Sequence, residues 1–532
     1  MSCNSCCNDS KSGANLPVSI NFGDNDFYII YNPSNRRIEK VQKTNSGGPF
    51  LSQENNLSDV QSAEESRANL QVYGTDETLT KDEIQEFIRP IILIPKPSGF
   101  DYLPFDVVKY SDTVYLSNTD WLEMFKTKYA GFIGAGEVYV SQSLGDDSGT
   151  GSKAQPFQTI NAAMEANAST VYILDGVFDD FLDFRDTSTQ GAKAKIIIGV
   201  GENITFKQSG DDLQSLSFAE NATYSNVYDA VLTTSNNINR LLRSDIIDED
   251  NRDTPIPKRS SVLEVNSTGN GWYYDTGTNT LSVRIHTPPL GTVPEREAWF
   301  NDNVKPLLTP LYIGTSASTQ RFYFQNTKVF LKNITIEGAH LFSNNTGSES
   351  LVPVLWTENI QVLYPAVAGG VTIEGAESFA KDVYVTRSNG DNFGYHIENT
   401  VEATAIEYNV KSTYAGDVDT FPTTSANKNA SSMHEDGTIA RFGGEYNYSY
   451  PYNIVDTGLS GTSQGGSWNV GCKSKGASAI DIIMFDRTVY LDHLVAGTIR
   501  ADVNSTIIYN DLVVNVLDSV SNGVLTEYEL TQ

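Results

Sequence analysis

The side chains able to do chemistry crowd into one stretch of this chain, between Arg387 and Cys472. It reads Arg387-Ser-Asn-Gly-Asp-Asn-Phe-Gly-Tyr-His-Ile-Glu398, then Tyr414-Ala-Gly-Asp-Val-Asp419, then Ser431-Ser-Met-His-Glu-Asp-Gly437 with Arg441, Asp456 and Trp468 beyond. Two of the five histidines, His396 and His434, fall here. Carboxylates beside histidines supply what proton transfer needs, a group that gives up a proton near neutral pH and one that accepts it. Asp391, His434, Glu435, Asp436 and Asp456 are therefore the expected catalytic residues. Tyr395, His396, Arg441 and Trp468 offer rings and a guanidinium, which suit stacking and hydrogen bonding to a ligand. Each has a plainer alternative, because Asp and Asn at turns bond to backbone and rings beside strands pack into cores.

Other chemistries leave no trace. The chain has no Gly-x-Ser-x-Gly, no phosphate-binding loop and no His-Glu-x-x-His. The Asp146-Asp147 turn lacks a full set of calcium ligands. Cys3, Cys6 and Cys7 have no second cysteine pair or histidine group nearby, and Cys472 stands alone, so a reduced N-terminus and no bound metal or cofactor are expected.

The elements that must position these residues are short strands. Glu137-Val-Tyr-Val-Ser141 alternates and is followed by a polar Gly/Ser cluster from Gly145 to Ser152. A short helical pattern comes next, with Ile160, Ala163, Met164 and Asn167 on one face, and then a second strand, Thr170-Val-Tyr-Ile-Leu174. Strand, glycine loop, helix and strand is how a right-handed parallel β-helix begins, the helix plugging the open end of the solenoid. Short β-branched runs then recur, among them Ile196–Val200, Ile334–Ile336, Val371–Ile373, Val383–Val385, Ile482–Met484, Val489–Leu491 and Ile507–Tyr509. Rungs of roughly 20–25 residues fit them. Equivalent positions on successive rungs would stack ~4.8 Å apart. Asp391 with Asp417, and Asp436 with Asp456, are each spaced near one rung; adjacent-rung carboxylates match the ~5–5.5 Å of a retaining glycosidase, and carboxylates two rungs apart, ~9.6 Å, sit near the upper limit for an inverting one. Two inserts are expected, at 205–260 and 270–325, with Trp272–Val283 a hairpin turning at Thr276-Gly-Thr.

The 532 residues are too many for one compact core, so an elongated repeat body with smaller regions is expected. With 37 basic and 66 acidic residues the net charge is −29, which repels nucleic acid and anionic membranes. The N-terminus has no apolar leader and no run of ~18 apolar residues occurs, so synthesis in a cytoplasm without membrane insertion is expected. Residues 17–45 read as a small β element. Ser62 with Glu65, and Thr80 with Glu83, have capping-box spacing for two short helices.

Two resemblances bear on function. Gly145–Ala166 resembles the opening of pectate-lyase-like β-helices in bacterial and phage proteins. Asn55-Asn-Leu-Ser-Asp-Val-Gln-Ser-Ala-Glu-Glu-Ser-Arg-Ala-Asn-Leu70 resembles a segment near the N-termini of phage tail fibres and tailspikes, where it lies in the virion-proximal, trimeric part. The blocks Asp391–His396, Ser431–Gly437 and Trp468-Asn-Val-Gly-Cys472 are similar to ones in phage and bacterial β-helix proteins and mark a surface. These resemblances imply a mainly β chain: a small α/β virion-attachment region at 1–90, a connector or small β domain at 91–135, a β-helix over 136–510 and a C-terminal β extension at 511–532. They imply a homotrimeric tailspike or fibre on a virion, joined to other virion proteins through residues 1–90. Its surface would recognise host polysaccharide, with Tyr395, His396, Arg441 and Trp468 as the glycan-binding set. Whether it also cleaves that polysaccharide stays open. A purely adhesive fibre and a free bacterial polysaccharide lyase or hydrolase are the alternatives, the last of which leaves the fibre-like segment unexplained.

Overall fold

The computed structural model describes Ser19–Asn21, Phe27–Asn32, Arg37–Gln42 and residues 92–528. Within that last span, 111–112, 167, 179–182, 186–193, 203, 208–215, 233–237, 287–290, 309–320, 346–351, 366–368, 389, 399, 417–427, 450, 459–464 and 477–480 are excepted. The chain divides into two compact units, Met1–Thr119 and Asp120–Gln532. In the first, Ser19–Asn21, Phe27–Asn32 and Arg37–Gln42 form an antiparallel meander. Ile92–Ile94, Val107–Tyr110 and Thr113–Leu116 form a second small antiparallel sheet over buried Ile94, Val107 and Leu116. The expected helices between 62 and 88, and Cys3, Cys6 and Cys7, lie outside the described residues.

The second unit is a right-handed parallel β-helix. It opens with Glu137–Ser141, which pairs in parallel with Thr170–Asp175. Between them the helix Ile160–Glu165 starts at Thr159, whose hydroxyl accepts the Ala162 N–H, and buries Ile160 and Ala163 against the lumen. The coil then climbs with three faces. On the first, Lys328–Glu337, Val354–Leu363, Glu377–Lys381, Thr404–Tyr408, Thr438–Phe442, Gly466–Val470, Thr488–Asp492, Thr506–Asn510 and Val524–Glu527 stack in register. The second carries the ends of Lys328–Glu337 and Val354–Leu363 beyond Asn333 and Asn359, then Tyr384–Thr386, Lys411–Thr413, Glu445–Asn447 and Lys473–Lys475. The third carries His340–Asn344, Val371–Glu374, Phe393–His396, Ser431–Met433, Ile454–Thr457 and Ile482–Phe485.

Rung length is less even than the strand spacing suggests. Thr404 pairs with Thr438, 34 residues on, whereas Thr488 pairs with Thr506 and Thr506 with Val524, 18 residues each. Strands after 510 continue the coil as its last rungs. One corner keeps these uneven turns in phase. Asn333, Asn359, Asp382, Asn409, Gly443, Gly471, His493 and Asp511 all take positive φ, between 46° and 66°, between the first and second faces. Asn and Asp take this left-handed backbone more readily than other non-glycine residues, and here they also bond from rung to rung, Asn359 to Asn333 (3.0 Å) and Asn409 to Asp382 (2.5 Å).

On the first face, alternate residues enter the lumen: Val329, Leu355, Ala405, Ile439, Val489 and Ile507 lie within one buried cluster. The outward column Phe330–Trp356–Phe379 is covered by the helix Trp121–Lys128. Trp121 packs edge-on to Trp356 (6.3 Å) and Phe379 (5.6 Å), and Trp356 stacks on Phe379 at 4.1 Å.

One folded insert interrupts the coil between Thr205–Lys207 and Arg321–Gln325. It holds two antiparallel sheets and the helices Val262–Thr268 and Val293–Asn303 around its own core of Trp272, Tyr228, Phe300 and Leu281. The expected hairpin is present as Gly271–Asp275 paired with Thr280–Arg284, Trp272 opposite Val283.

Candidate functional site

On the third face, successive rungs place His396, at the end of Phe393–His396, beside His434, just beyond Ser431–Met433. Phe393 and Tyr395 point into the lumen, so His396 points out. The rung spacing leaves the two imidazoles face to face, centroids 4.3 Å apart and 6° from parallel. Asp391, in the turn before the first of these strands, reaches up to the next rung. Its Oδ1 accepts the Asn429 N–H (2.6 Å) and Nδ2 (3.1 Å), and its Oδ2 accepts the Ser432 hydroxyl and lies 3.3 Å from His434 Nε2. Gly394 forms the floor between them: a Cβ there would come within 3.2 Å of His396 Nε2. The Asp391 and His434 side chains keep 10% and 17% of their surface exposed, enough for a ligand to reach their edge.

Burial and the adjacent His434 push the His396 imidazole down to about 4, against the opposing pull of Asp391. His396 is therefore neutral near pH 7. Because its folded-state value lies below the ordinary 6.5, its contribution to stability is full above about pH 6.5 and is lost as pH falls toward 4. His396→Gln, which cannot titrate, should lose less stability than wild type between about pH 7 and pH 4, by roughly 1–3 kcal/mol. Parallel melting curves across that range, identical for both proteins, would show that His396 is not held neutral.

The other expected residues are placed differently. The Glu435 carboxylate accepts the Ile397 N–H at 3.2 Å and its own N–H donates to Thr457 Oγ1 at 3.1 Å, so it braces the turn. Asp436 is buried, and with burial it raises the proton affinity of Glu402 while Arg487 opposes it. Asp456 pairs in register with Met433 and thus faces the lumen, not the surface; the expected stacking of Asp436 on Asp456 does not occur. Asp417 lies outside the described residues.

Three of the four expected glycan-binding residues are corrected in the same way. Tyr395, Arg441 and Trp468 are 0% exposed and cannot touch a polymer outside the coil. Tyr395 and Arg441 belong to a charged cluster inside the lumen. Arg441 grips both oxygens of Asp456 (2.8 and 2.9 Å) and lies 3.6 Å from Glu407, which also accepts the hydroxyls of Tyr395 (2.9 Å), Ser431 (2.8 Å) and Tyr446. Burial favours the neutral acid and holds Glu407 above the usual carboxylate range, although Arg441 opposes it. In Asp456 burial is outweighed by Arg441, and the carboxyl is held below that range. Trp468 is packed on the first face, its ring edge-on to Phe442 at 5.1 Å and its Nε1 donating to Asp492 at 3.3 Å.

Four positions that shape the site were not singled out from the sequence: Ser432, Asn429, Gly394 and Arg487. The first three sit inside or beside the quoted blocks, so proximity was a usable signal. Arg487 comes from a later rung and had none. It donates to the carbonyls of Glu435 (3.1 Å), Thr457 (2.8 Å) and Gly437, fixing the turn that carries His434.

Among the described residues no group of three or more His, Cys, Asp or Glu is arranged to hold a metal. The Asp147 carboxylate is taken up by the N–H groups of Gln158 and Thr159 and the Thr159 hydroxyl. No described helix is long and apolar enough to cross a membrane.

No protein-family model matches this chain, and no curated protein matches it. Solved structures do. A complex of XylC with xylose is 10% identical, covering 72% of this chain and 70% of its own, with a TM-score of 0.38. The lacto-N-biosidase of family GH136 from Eubacterium ramulus is 9% identical, covering 77% and 70%, with a TM-score of 0.30. The gp54 tailspike of Acinetobacter baumannii bacteriophage AP22, in complex with A. baumannii capsular saccharide, is 9% identical, covering 77% and 72%, with a TM-score of 0.21.

Proposed function

We propose that this chain is the polysaccharide-processing body of a virion appendage, a tailspike that binds host surface glycan along its coil and cleaves it at Asp391 and His434. The observation that carries the reading is the Asp391–His434–His396 cluster, an outward-facing proton-transfer site whose imidazole is oriented by a carboxylate. In the tautomer that donates Nε2–H to Asp391, Nδ1 of His434 is the nitrogen left to act as a base, and neutral His396 lies against its ring. The fibre-like segment Asn55–Leu70 supports attachment to the particle through residues 1–90 and assembly as a trimer. Incubating the protein with host capsular polysaccharide and following chain length by size exclusion tests this. Shortening with new reducing ends alone marks a hydrolase, and shortening with unsaturated ends marks a lyase.

A second reading, an adhesive fibre without catalysis, is favoured by one observation: Asp391 already accepts from Asn429, Ser432 and His434, as a rigid binding surface would have it. Retention of full polysaccharide length on the proper host glycan, with binding intact, would decide for it.

A further inference from the structure

The second face carries a stripe of cations laid on tyrosines. Across four rungs it gathers Tyr384 and Arg387, Lys411 and Tyr414, Tyr448, and Lys475. Arg387 lies over the Tyr414 ring at 4.4 Å, Lys411 over Tyr384 at 5.6 Å and Lys475 over Tyr448 at 5.4 Å, while Tyr414 and Tyr448 stack at 5.2 Å. Glu445 stands in register between Lys411 and Lys473 on this face, so the cations are grouped by their rings and not by an unbroken row of positive charge. Arg387, Tyr414 and Tyr448 hold equivalent corner positions with φ of 60°, 55° and 56°, a backbone that costs non-glycine residues ~1–2 kcal/mol each.

The tip of the insert, Asp248-Glu249-Asp250, lies on this stripe, one carboxylate to each cation. Asp248 accepts from Arg387 at 2.9 Å, Asp250 pairs with Lys411 and accepts the Tyr384 hydroxyl at 2.8 Å, and Glu249 accepts the Tyr448 hydroxyl at 2.9 Å and lies 3.7 Å from Lys475. The tip is preformed as a turn, with Asp248 Oδ1 accepting the N–H groups of Asp250 and Arg252. Beside it Ile246 and Ile247 stay 48% and 54% exposed, whereas Leu242 of the same strand is buried against Leu363 and Tyr364 of the coil, so the apolar seat lies at the base of the insert and the tip itself meets the stripe through charges and hydroxyls.

Three cations on tyrosine rings, repeating from rung to rung, are what a carboxylated sugar chain requires: rings for the pyranose faces and cations for the acid groups. We propose that this stripe is a binding track for a carboxylate-bearing polysaccharide, and that Asp248, Glu249 and Asp250 occupy it as an intramolecular stand-in which the polymer displaces. The inference rests on the glycan-processing reading and specifies its substrate class. The track joins the candidate site directly in the chain, since Arg387 and Asp391 are four positions apart in the sequence.

The test compares full-length wild type with Asp248→Asn/Glu249→Gln/Asp250→Asn by calorimetric titration, using oligogalacturonate, oligosialic acid and a neutral dextran oligosaccharide. The expected result is a gain of at least about tenfold in affinity for one or both acidic probes, none for dextran, and loss of that gain when Lys411→Ala and Lys475→Gln are added. If the triple variant melts far below wild type, Glu249→Gln alone decides, because that carboxylate is largely exposed; a gain of about threefold or more is then expected. No gain for either acidic probe in a folded variant overturns the track. Cleavage at wild-type rate in that same variant would leave the proposed function standing, whereas a gain at the tip with no cleavage by wild type would uphold the track and overturn the catalytic reading.

Discussion

Arg441→Met is expected to lower the stability of the coil by ~3–5 kcal/mol, the largest effect of any single substitution considered. The substitution keeps the apolar stem and removes the one cation that faces both Glu407 and Asp456, each fully buried. Asp456 would lose the guanidinium that grips both its oxygens and keep Arg487 as its more distant counter-charge, and Asn469, which accepts from Arg441 at 3.1 Å, would lose a donor. Replacing Glu407, Arg441 and Asp456 together by Leu, Met and Leu should recover part of the loss, because neither carboxylate is then left facing the gap, although buried Arg487 loses the nearby charge of Asp456 and the Tyr395 and Tyr446 hydroxyls lose their acceptor. Thermal unfolding of the single and triple variants measures both. A single variant that melts with wild type would mean the cluster contributes nothing to holding the rungs together.

The second large effect is on turnover. His434→Ala and Asp391→Asn are each expected to lower kcat by ~10²–10⁴-fold, with glycan affinity retained. If Asp391 acts by orienting the imidazole, the double variant should be little worse than either single one. Asp391→Asn also sets an amide NH2 against the donors Asn429 and Ser432, so its melting temperature is read alongside. Full turnover in both single variants would place the chemistry elsewhere on the molecule.

The coil was legible in the sequence because short β-branched runs and the capping stretch Gly145–Ala166 are local patterns. Which way a given residue points was not. A strand alternates with a period of two, so a shift of one residue exchanges lumen for surface, and strands of three to five residues cannot set their own phase. Arg441 and Asp456 read as surface groups because charge normally belongs there. Their burial becomes evident only when Glu407, Arg441 and Asn469 are seen to stack in register behind Ala405 and Ile439. The corner residues that set this phase were present as Asn333-Ile, Asn359-Ile, Asp382-Val and Asn409-Val. Their repeat is hidden because rung lengths vary and because Gly443 and Gly471 replace the amide. Asp391 and His434 were legible for the opposite reason: both belong to short blocks rich in polar and ionisable residues. The turn that carries His434 is nonetheless bonded by Arg487, far along the chain.

The folded insert between Lys207 and Arg321 has its own apolar core, apart from the one that fills the lumen. Loop closure becomes only slowly more costly with length, about 2 kcal/mol for a tenfold longer connection. A coil whose phase is kept by its corners and lumen can therefore carry a different module at this place at little thermodynamic penalty. Selection by a changing target could then act on the module and its tip as an exchangeable part, while the ladder beneath is inherited intact.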